Sequence, residues 1–503
     1  MDHLRQKAPH SFTQNRASRS DQCKKNPSLL EALEQLIAQT RPSFASQESF
    51  QRSRRHLLTS LVGFGRRTIT GLIRTQNRQQ QDWTADYRFY SQDRFDDQAV
   101  FDLVRQILEV QLERTQPLVV AMDDSLLRKT GRKIHGVRYV RDPLSPPFHV
   151  NLVRGLRVLQ VSAALPDGSG AARMVPVDFQ HAVLPPKPSR KASAQELETY
   201  KLQRAQRNLN KVGAERLQWL RQQMDRSGSA QRRLIACVDG RFTNSTVFEA
   251  VPERTVLIGR LRKDTVLYFL PQAQPERGRK RKYGALAPTP EQLLQDEATA
   301  WETVCGQACG RKHEFKIKRL KPVVMRMNGG AMPVQVMVIK PLGYRLTLGG
   351  KLFYRQPAFL VCTDPELPVE EFLQDFLWRW DIEVNFRDEK TILKIGQAQV
   401  RVENSTQNAP ALGVAAYALL QLAATQTYGK RGAPDRQHQP KWYRRDPQKR
   451  ATTNELINQL RIELWASALQ PGHFSDFMTG TSSTQKSQKC EFNPAAALFS
   501  CLA

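Results

Sequence analysis

The stretch Phe376-Leu-Trp-Arg379-Trp-Asp-Ile-Glu383-Val-Asn-Phe-Arg-Asp-Glu-Lys390 sets a carboxylate between cations at helical spacing. Read as one helix, Phe376, Arg379 and Lys390 lie at offsets of −7, −4 and +7 from Glu383. At about 100° per residue these four fall within roughly 60° of arc, a stripe that a core-facing helix would fill with aliphatics. Upstream, two apolar runs close on aspartate: Leu118-Val-Val-Ala-Met-Asp123-Asp124 and Leu234-Ile-Ala-Cys-Val-Asp239. Singly, each feature has a plain structural explanation. An Asp after a strand starts a turn, and Arg and Glu four apart make a surface pair. In this order they form a set of hard oxygen donors. Mg²⁺ takes carboxylates and keeps several waters, so two or three acids suffice without His or Cys. Two such ions can activate a nucleophile and stabilise the leaving oxygen in phosphodiester cleavage. Asp124 or Asp123, Asp239 and Glu383 would supply the oxygens, while Arg379 and Lys390 would grip phosphates on either side.

The bulk composition agrees with a polyanionic substrate. The 503 residues carry 76 Lys+Arg against 48 Asp+Glu, a net +28. Phosphate contacts of this kind give strongly salt-dependent binding. An anionic membrane surface is the competing partner, but the cations are spread along the chain, not gathered on an amphipathic anchor. The N-terminus shows no secretory signal, and the longest near-apolar run, Ala409 to Ala424, is short for a bilayer and reads as a buried helix. Seven scattered cysteines suit a reducing compartment. The expectation is a cytoplasmic, nucleoid-associated protein without membrane association.

The elements that must position these residues read as an α/β protein in six segments. Residues 1–27 form a flexible basic tail and 28–114 a helical, DNA-binding region. In the latter, Gly65-Arg-Arg-Thr-Ile-Thr-Gly71-Leu-Ile-Arg74 reads either as a helix-turn-helix-like element or as the basic surface of a bundle. Residues 115–261 are the first part of the core, with strands at Leu118–Met122, Phe148–Val153, Leu156–Ala163, Met174–Asp178, Leu234–Val238 and Arg254–Gly259. A long charged helix is expected at 194–223. Residues 262–365 read as an all-β insertion with strands near 265–269, 314–318, 334–339 and 358–361. Residues 366–428 return to the core with the Glu383 helix, and 429–503 are a basic linker followed by a helical and disordered end. Arg279, Lys280, Arg281 and Lys282, within the cluster Arg277-Gly-Arg-Lys-Arg-Lys282, are candidate phosphate contacts on a mobile loop.

The segment from Trp378 to Lys390 resembles the signature helix of bacterial insertion-sequence transposases of the DDE superfamily. It is most similar to the branch with a tyrosine-x₂-arginine-x₃-glutamate-x₆-lysine motif. Arg379, Glu383 and Lys390 match its spacing, while Phe376 stands where the motif has tyrosine. Met122-Asp123-Asp124-Ser125-Leu-Leu-Arg-Lys129-Thr-Gly131 is similar to the family's first-aspartate motif, which favours Asp124 over Asp123. Val238-Asp239-Gly-Arg241-Phe is similar to the second. The resemblance implies an RNase H-like core interrupted by the β insertion. It also implies two Mg²⁺ ions, with Mn²⁺ as a substitute, held by Asp124, Asp239 and Glu383. Arg379, Lys390, Lys129 and Arg241 become DNA contacts. Double-stranded DNA (terminal inverted repeats and target), a homodimeric synaptic complex and cut-and-paste transposition with a hairpin intermediate follow from the same resemblance. Competing readings are a transposase-derived DNA-binding protein without catalysis and a structure-specific nuclease with the same core.

Other signals carry less. Cys305-x₃-Cys309-x₃-His313 lacks a second ligand pair for zinc, and Cys237 reads as a core residue. Trp378 and Trp380 are expected to pack the helix onto the sheet, Trp301 or Tyr283 could stack on bases, and His135 reads as structural.

Overall fold

In the computed structural model the described residues are 27–142, 145–146, 148–149, 151–272, 280–308, 310–434 and 450–469. The chain opens with five helices, α1 (Leu29–Gln39), α2 (Gln47–Val62), α3 (Ile69–Thr75), α4 (Thr84–Ser91) and α5 (Asp97–Val110). All but α4 start on a short polar side chain that caps the first turn. Ser28 and Glu31 form a reciprocal capping box on α1, and Asp96 accepts from the Ala99 amide at α5.

Four strands follow: β1 (Leu118–Arg128), β2 (Arg138–Arg141), β3 (Leu152–Pro166) and β4 (Ala172–His181). The charged stretch then forms two helices, α6 (Ala194–Gln206) and α7 (Leu209–Arg226), because Asn208 breaks away to cap α7 through the Lys211 amide. Next come β5 (Leu234–Val238), α8 (Ser245–Phe248) and β6 (Thr255–Arg260). β3 runs antiparallel to β1 and β4 antiparallel to β3, whereas β5 is parallel to β1 and β6 to β5. This mixed sheet is consistent with an RNase H-like core. The two parallel strands are apolar along their length because both faces are covered.

The segment read as an all-β insertion contains β7 (Leu267–Phe269), β8 (Leu286–Ala287), α9 (Pro290–Gln295), β9 (Glu302–Ala308), β10 (Arg311–Arg326), β11 (Ala331–Ile339), β12 (Gly343–Arg345), β13 (Leu352–Tyr354) and β14 (Ala358–Cys362). Most of these strands form no sheet of their own. β14 pairs antiparallel with β6, and the order runs β2-β3-β1-β5-β6-β14-β11-β10-β7-β8, with β4 on β3 and β9 on β10. An apolar β6 edge would leave a row of unpaired backbone groups, and β14 covers it. Only β12 and β13 stand apart, paired with each other.

The chain closes with α10 (Val369–Trp378), α11 (Asp381–Thr391), α12 (Glu403–Tyr428) and α13 (Thr453–Leu469). The sheet separates two cores. On one face Leu118, Val120, Met122 and Val238 pack with α1, α2, α5, α7, α12 and α13. The amino-terminal helices share this apolar cluster with the sheet, and α12, apolar all round, lies at its centre. On the other face Val119, Ala121 and Cys237 pack with Phe372 and Leu373 of α10 and Ile382 and Phe386 of α11. Among the described residues no helix is long and apolar enough to cross a membrane.

Candidate active site

The parallel pairing of β1 and β5 ends with Met122 opposite Val238, so the next residue on each strand is an aspartate, Asp123 and Asp239. Strand alternation turns Asp123 to the face of Val119 and Ala121, and Asp239 to the face of Cys237. That is the face covered by α10 and α11. Asp123 is buried, and the pKa of its carboxyl is pushed up to about 7, by burial first and then by the charge of Asp239. Its Oδ1 accepts from the Asp124 amide at 2.8 Å, and its Oδ2 lies 3.5 Å from Arg379 Nη1. Asp239 is half-buried and accepts from the Arg241 amide at 2.9 Å.

Asp124 points the other way. It forms a close ion pair with Arg157 of β3 and lies 3.4 Å from Arg241 Nε. The aspartate that the motif comparison favours is thus on the opposite face from α10 and α11, and the structure brings Asp123 beside Asp239 instead. The Arg241 guanidinium is half-exposed and is engaged by Asp124.

The stretch 376–390 is not one straight helix. α10 ends at Trp378, and the next turn is tight. The Arg379 and Trp380 amides bond the carbonyls of Phe376 and Leu377, and those of Ile382 and Glu383 bond Arg379 and Trp380. These are three-residue steps, and each advances the helix by about 20° more than an α-helical step. The single stripe is therefore split. Arg379 is buried, its guanidinium facing Asp123 and 5.5 Å over the Phe376 ring, and its Nε has no hydrogen-bond partner. Glu383 is exposed in the first turn of α11. Lys390, two turns later, bonds Ser125 of β1 and lies 5.5 Å over the Phe386 ring. Its pKa is lowered, burial of the ammonium outweighing the attraction of Glu389, Glu383 and Asp124. Trp378 is half-buried and donates to the Gly170 carbonyl at 2.8 Å. Trp380 is 59% exposed and does not pack on the sheet, contrary to expectation.

Lys129 is not a DNA contact in this arrangement. It is buried and donates to the carbonyls of Gly396 and Ala398 at 2.8 and 2.6 Å, locking the turn after β1 onto the loop after α11. Burial lowers its pKa to about 8. Lys280, Arg281 and Lys282 are exposed between β7 and β8, and Arg279 lies outside the described residues. Beside them Tyr283 bonds the Gly330 carbonyl, and the adjoining Asn328 and Gly329 bond Ser245 and Glu249 at α8, in the segment that follows Asp239.

One acid absent from the sequence reading is Glu389. It is buried, its pKa is raised to about 8 by burial, and it accepts from Gln160 Nε2 at 2.9 Å. Gln160 is the β3 partner of Asp123. Glu389 thus ties α11 to the rung beside Asp123. The signal in the sequence was its place seven residues after Ile382 and three after Phe386, on the buried stripe of α11 and not on the Glu383 side.

The remaining features are structural. Cys237 is buried, Cys305 is exposed, and Cys309 lies outside the described residues. Trp301 lies 4.5 Å from Lys318 Nζ, Tyr283 donates to the Gly330 carbonyl, and His135 pairs with Glu403 at 3.4 Å. In the amino-terminal helices, Arg67 follows the turn after α2 but is buried, bonding the carbonyls of Ser60, Gly65 and Leu61.

The donor set fits a divalent cation in part. Asp123 and Asp239 are two carboxylates side by side whose mutual repulsion a cation would relieve. Among the described residues, no three His, Cys, Asp or Glu side chains converge as a metal cage, so Glu383 does not join the pair directly.

The family described as DDE superfamily endonuclease matches residues 42–321, more than half of the chain. The match contains Asp123 and Asp239 and ends before Glu383. No curated protein was found to match the chain.

Proposed function

The chain belongs to the DDE superfamily endonucleases, and on that premise we propose that it is a DNA transposase that cuts transposon ends and joins them to target DNA. The observation that carries this is the pair Asp123 and Asp239, adjacent at the ends of parallel strands beneath the α10–α11 face. Asp123 and Asp239 would hold the divalent cations, Mg²⁺ by the hardness of the donors, with Glu383 apart from them on the first turn of α11 as the third carboxylate of the site. Such ions, when bound, polarise the scissile phosphate and raise the acidity of the attacking water or 3′-hydroxyl.

The protein's own groups do the rest. The Arg379 guanidinium and the Asp124 amide hold the Asp123 carboxylate from two sides. Arg157 and Arg241 engage Asp124, whose charge also reaches Asp123 and Lys390. Lys390, anchored at Ser125, presents a cation between Glu383 and β1 for a non-bridging phosphate oxygen. A net charge of +28 draws the duplex in. Two subunits, one per transposon end, are the assembly this reading calls for.

The test uses purified full chain with Mg²⁺ and DNA carrying the two ends that flank its own gene. Glu383→Ala and Asp123→Ala should abolish end cleavage while largely sparing binding, and Asp124→Ala should retain cleavage. Full cleavage by Glu383→Ala would sink the assignment. Cutting of junctions regardless of end sequence, without joining, would mark a structure-specific nuclease instead.

A further inference from the structure

Between β11 and β14 the chain leaves the sheet as a ribbon, residues 342–356, whose strands β12 and β13 pair only with each other. From Gly343 to Gln356 every residue except Gly350 is exposed. Two free strands are marginal in water on their own, yet this pair is heavily apolar. Tyr344 sits opposite Phe353 with ring centroids 5.8 Å apart. Arg355 lies 5.3 Å over Tyr344 and Lys351 5.8 Å over Phe353, so one face is aromatic and cationic together. At the tip Leu346 is 76% exposed and Leu348 fully exposed. The Gly350 amide bonds the Thr347 carbonyl at 3.0 Å, and Arg345 bonds the Gly350 carbonyl, which holds the tip in a closed turn.

The charge of the ribbon selects its partner. Residues 342–356 contain three cations and no acid, and a second copy of this +28 chain would meet them with like charge. A polyanion is complementary. A two-stranded ribbon can lie in a groove of B-DNA, major or minor. Apolar side chains at the end of a cationic arm are suited to wedge between base pairs and unstack them.

We propose that this ribbon is a DNA-distorting arm. Arg345, Lys351 and Arg355 lie along phosphates, and Leu346 and Leu348 enter a base step of the bound duplex. The inference rests on the DNA-processing reading above and adds to it a defined contact surface and a defined deformation.

The test uses the full chain carrying Asp239→Asn, bound to a duplex with the ends flanking its gene, and probed with permanganate, which oxidises unstacked thymines. The parent should create hyperreactive thymines. Adding Leu346→Ser and Leu348→Ser should erase them with binding kept within about threefold, and Arg345→Ala with Lys351→Ala should weaken binding about tenfold. In the catalytically intact chain the two serines should slow cleavage about tenfold, and a mismatch placed at the reactive step should restore it. Persistent hyperreactivity in the serine variant overturns the arm. So does a fall from two protein copies per DNA to one with hyperreactivity unchanged, which would make the ribbon a contact between copies. If the Asp239→Asn parent binds the duplex and the catalytically intact chain cuts it, while the leucine variants match them, the arm alone fails. If the parent binds no duplex, the DNA reading fails with it.

Discussion

Replacing Asp123 by Asn should make the metal-free protein more stable at pH 8, although it removes a carboxylate of the proposed site. The buried Asp123 carboxyl has its pKa raised from the ordinary 3.8 to about 7, by burial and by Asp239. Between those two values the native state holds one more proton than the unfolded chain, so stability falls as pH rises through that window. The loss is complete above about pH 7 and absent below about pH 4. At about 1.4 kcal/mol per pH unit the full loss is about 4 kcal/mol. Asparagine keeps the Oδ1 acceptor for the Asp124 amide and carries no charge, so Asp123→Asn should recover most of it. Urea unfolding in EDTA at pH 5 and pH 8 measures this. The variant should gain about 3–4 kcal/mol at pH 8 and about half or less at pH 5. Excess Mg²⁺ at pH 8 should stabilise the wild type and leave the variant unmoved. A variant less stable than wild type at pH 8 without metal would refute the reasoning, because the pair would then not be under electrostatic strain.

Other perturbations separate structural from chemical roles. Glu389→Gln should retain both folding and cleavage near neutral pH because an amide oxygen still accepts from Gln160, whereas Glu389→Ala should lose about 1–3 kcal/mol in urea unfolding and displace α11. The pKa of Glu389 is raised to about 8, so stability falls as pH rises towards 8 in the wild type and not in Glu389→Gln; equal pH profiles would refute this. Lys129→Met should destabilise by about 2–3 kcal/mol, since two carbonyls lose their partner, while the salt dependence of DNA affinity stays unchanged. Arg345→Ala with Lys351→Ala should lower the slope of log affinity against log salt by about 2, measured by fluorescence anisotropy.

Much of the sheet was legible because its strands are bounded by residues that cannot continue them. The run Leu234–Val238 sits between Arg233 and Asp239-Gly240 and coincides with β5. β1 extends beyond its apolar run to Arg128, because Ser125 to Arg128 pair with β3 and Leu127 returns to the core after the polar interruption Asp123-Asp124-Ser125. Four insertion strands were legible while β8, β9, β12 and β13 were not, and the joining of the insertion to β6 was hidden, since edge pairing is decided between elements far apart in the chain. The break between α10 and α11 leaves no Gly or Pro in the sequence. It shows only in the three-residue amide bonding of Arg379, Trp380, Ile382 and Glu383, which no residue type in the stretch marks.

The choice between Asp123 and Asp124 shows where the sequence stops and register begins. Alternation alone puts the two side chains on opposite faces of β1, so only one of them can stand with Asp239. Val119 and Ala121 mark the Asp123 face and Cys237 the Asp239 face, but their likeness to Val120, Met122 and Val238 hides which set lies under α11. Register decides it. Pairing of Met122 with Val238 makes Asp123 the rung partner of Asp239, and a slip of one residue would put Asp124 there instead. The ion pair of Asp124 with Arg157 belongs to the separate β1–β3 register; it is the β1–β5 register, held by the apolar residues on both faces of these strands, that stands Asp123 beside Asp239.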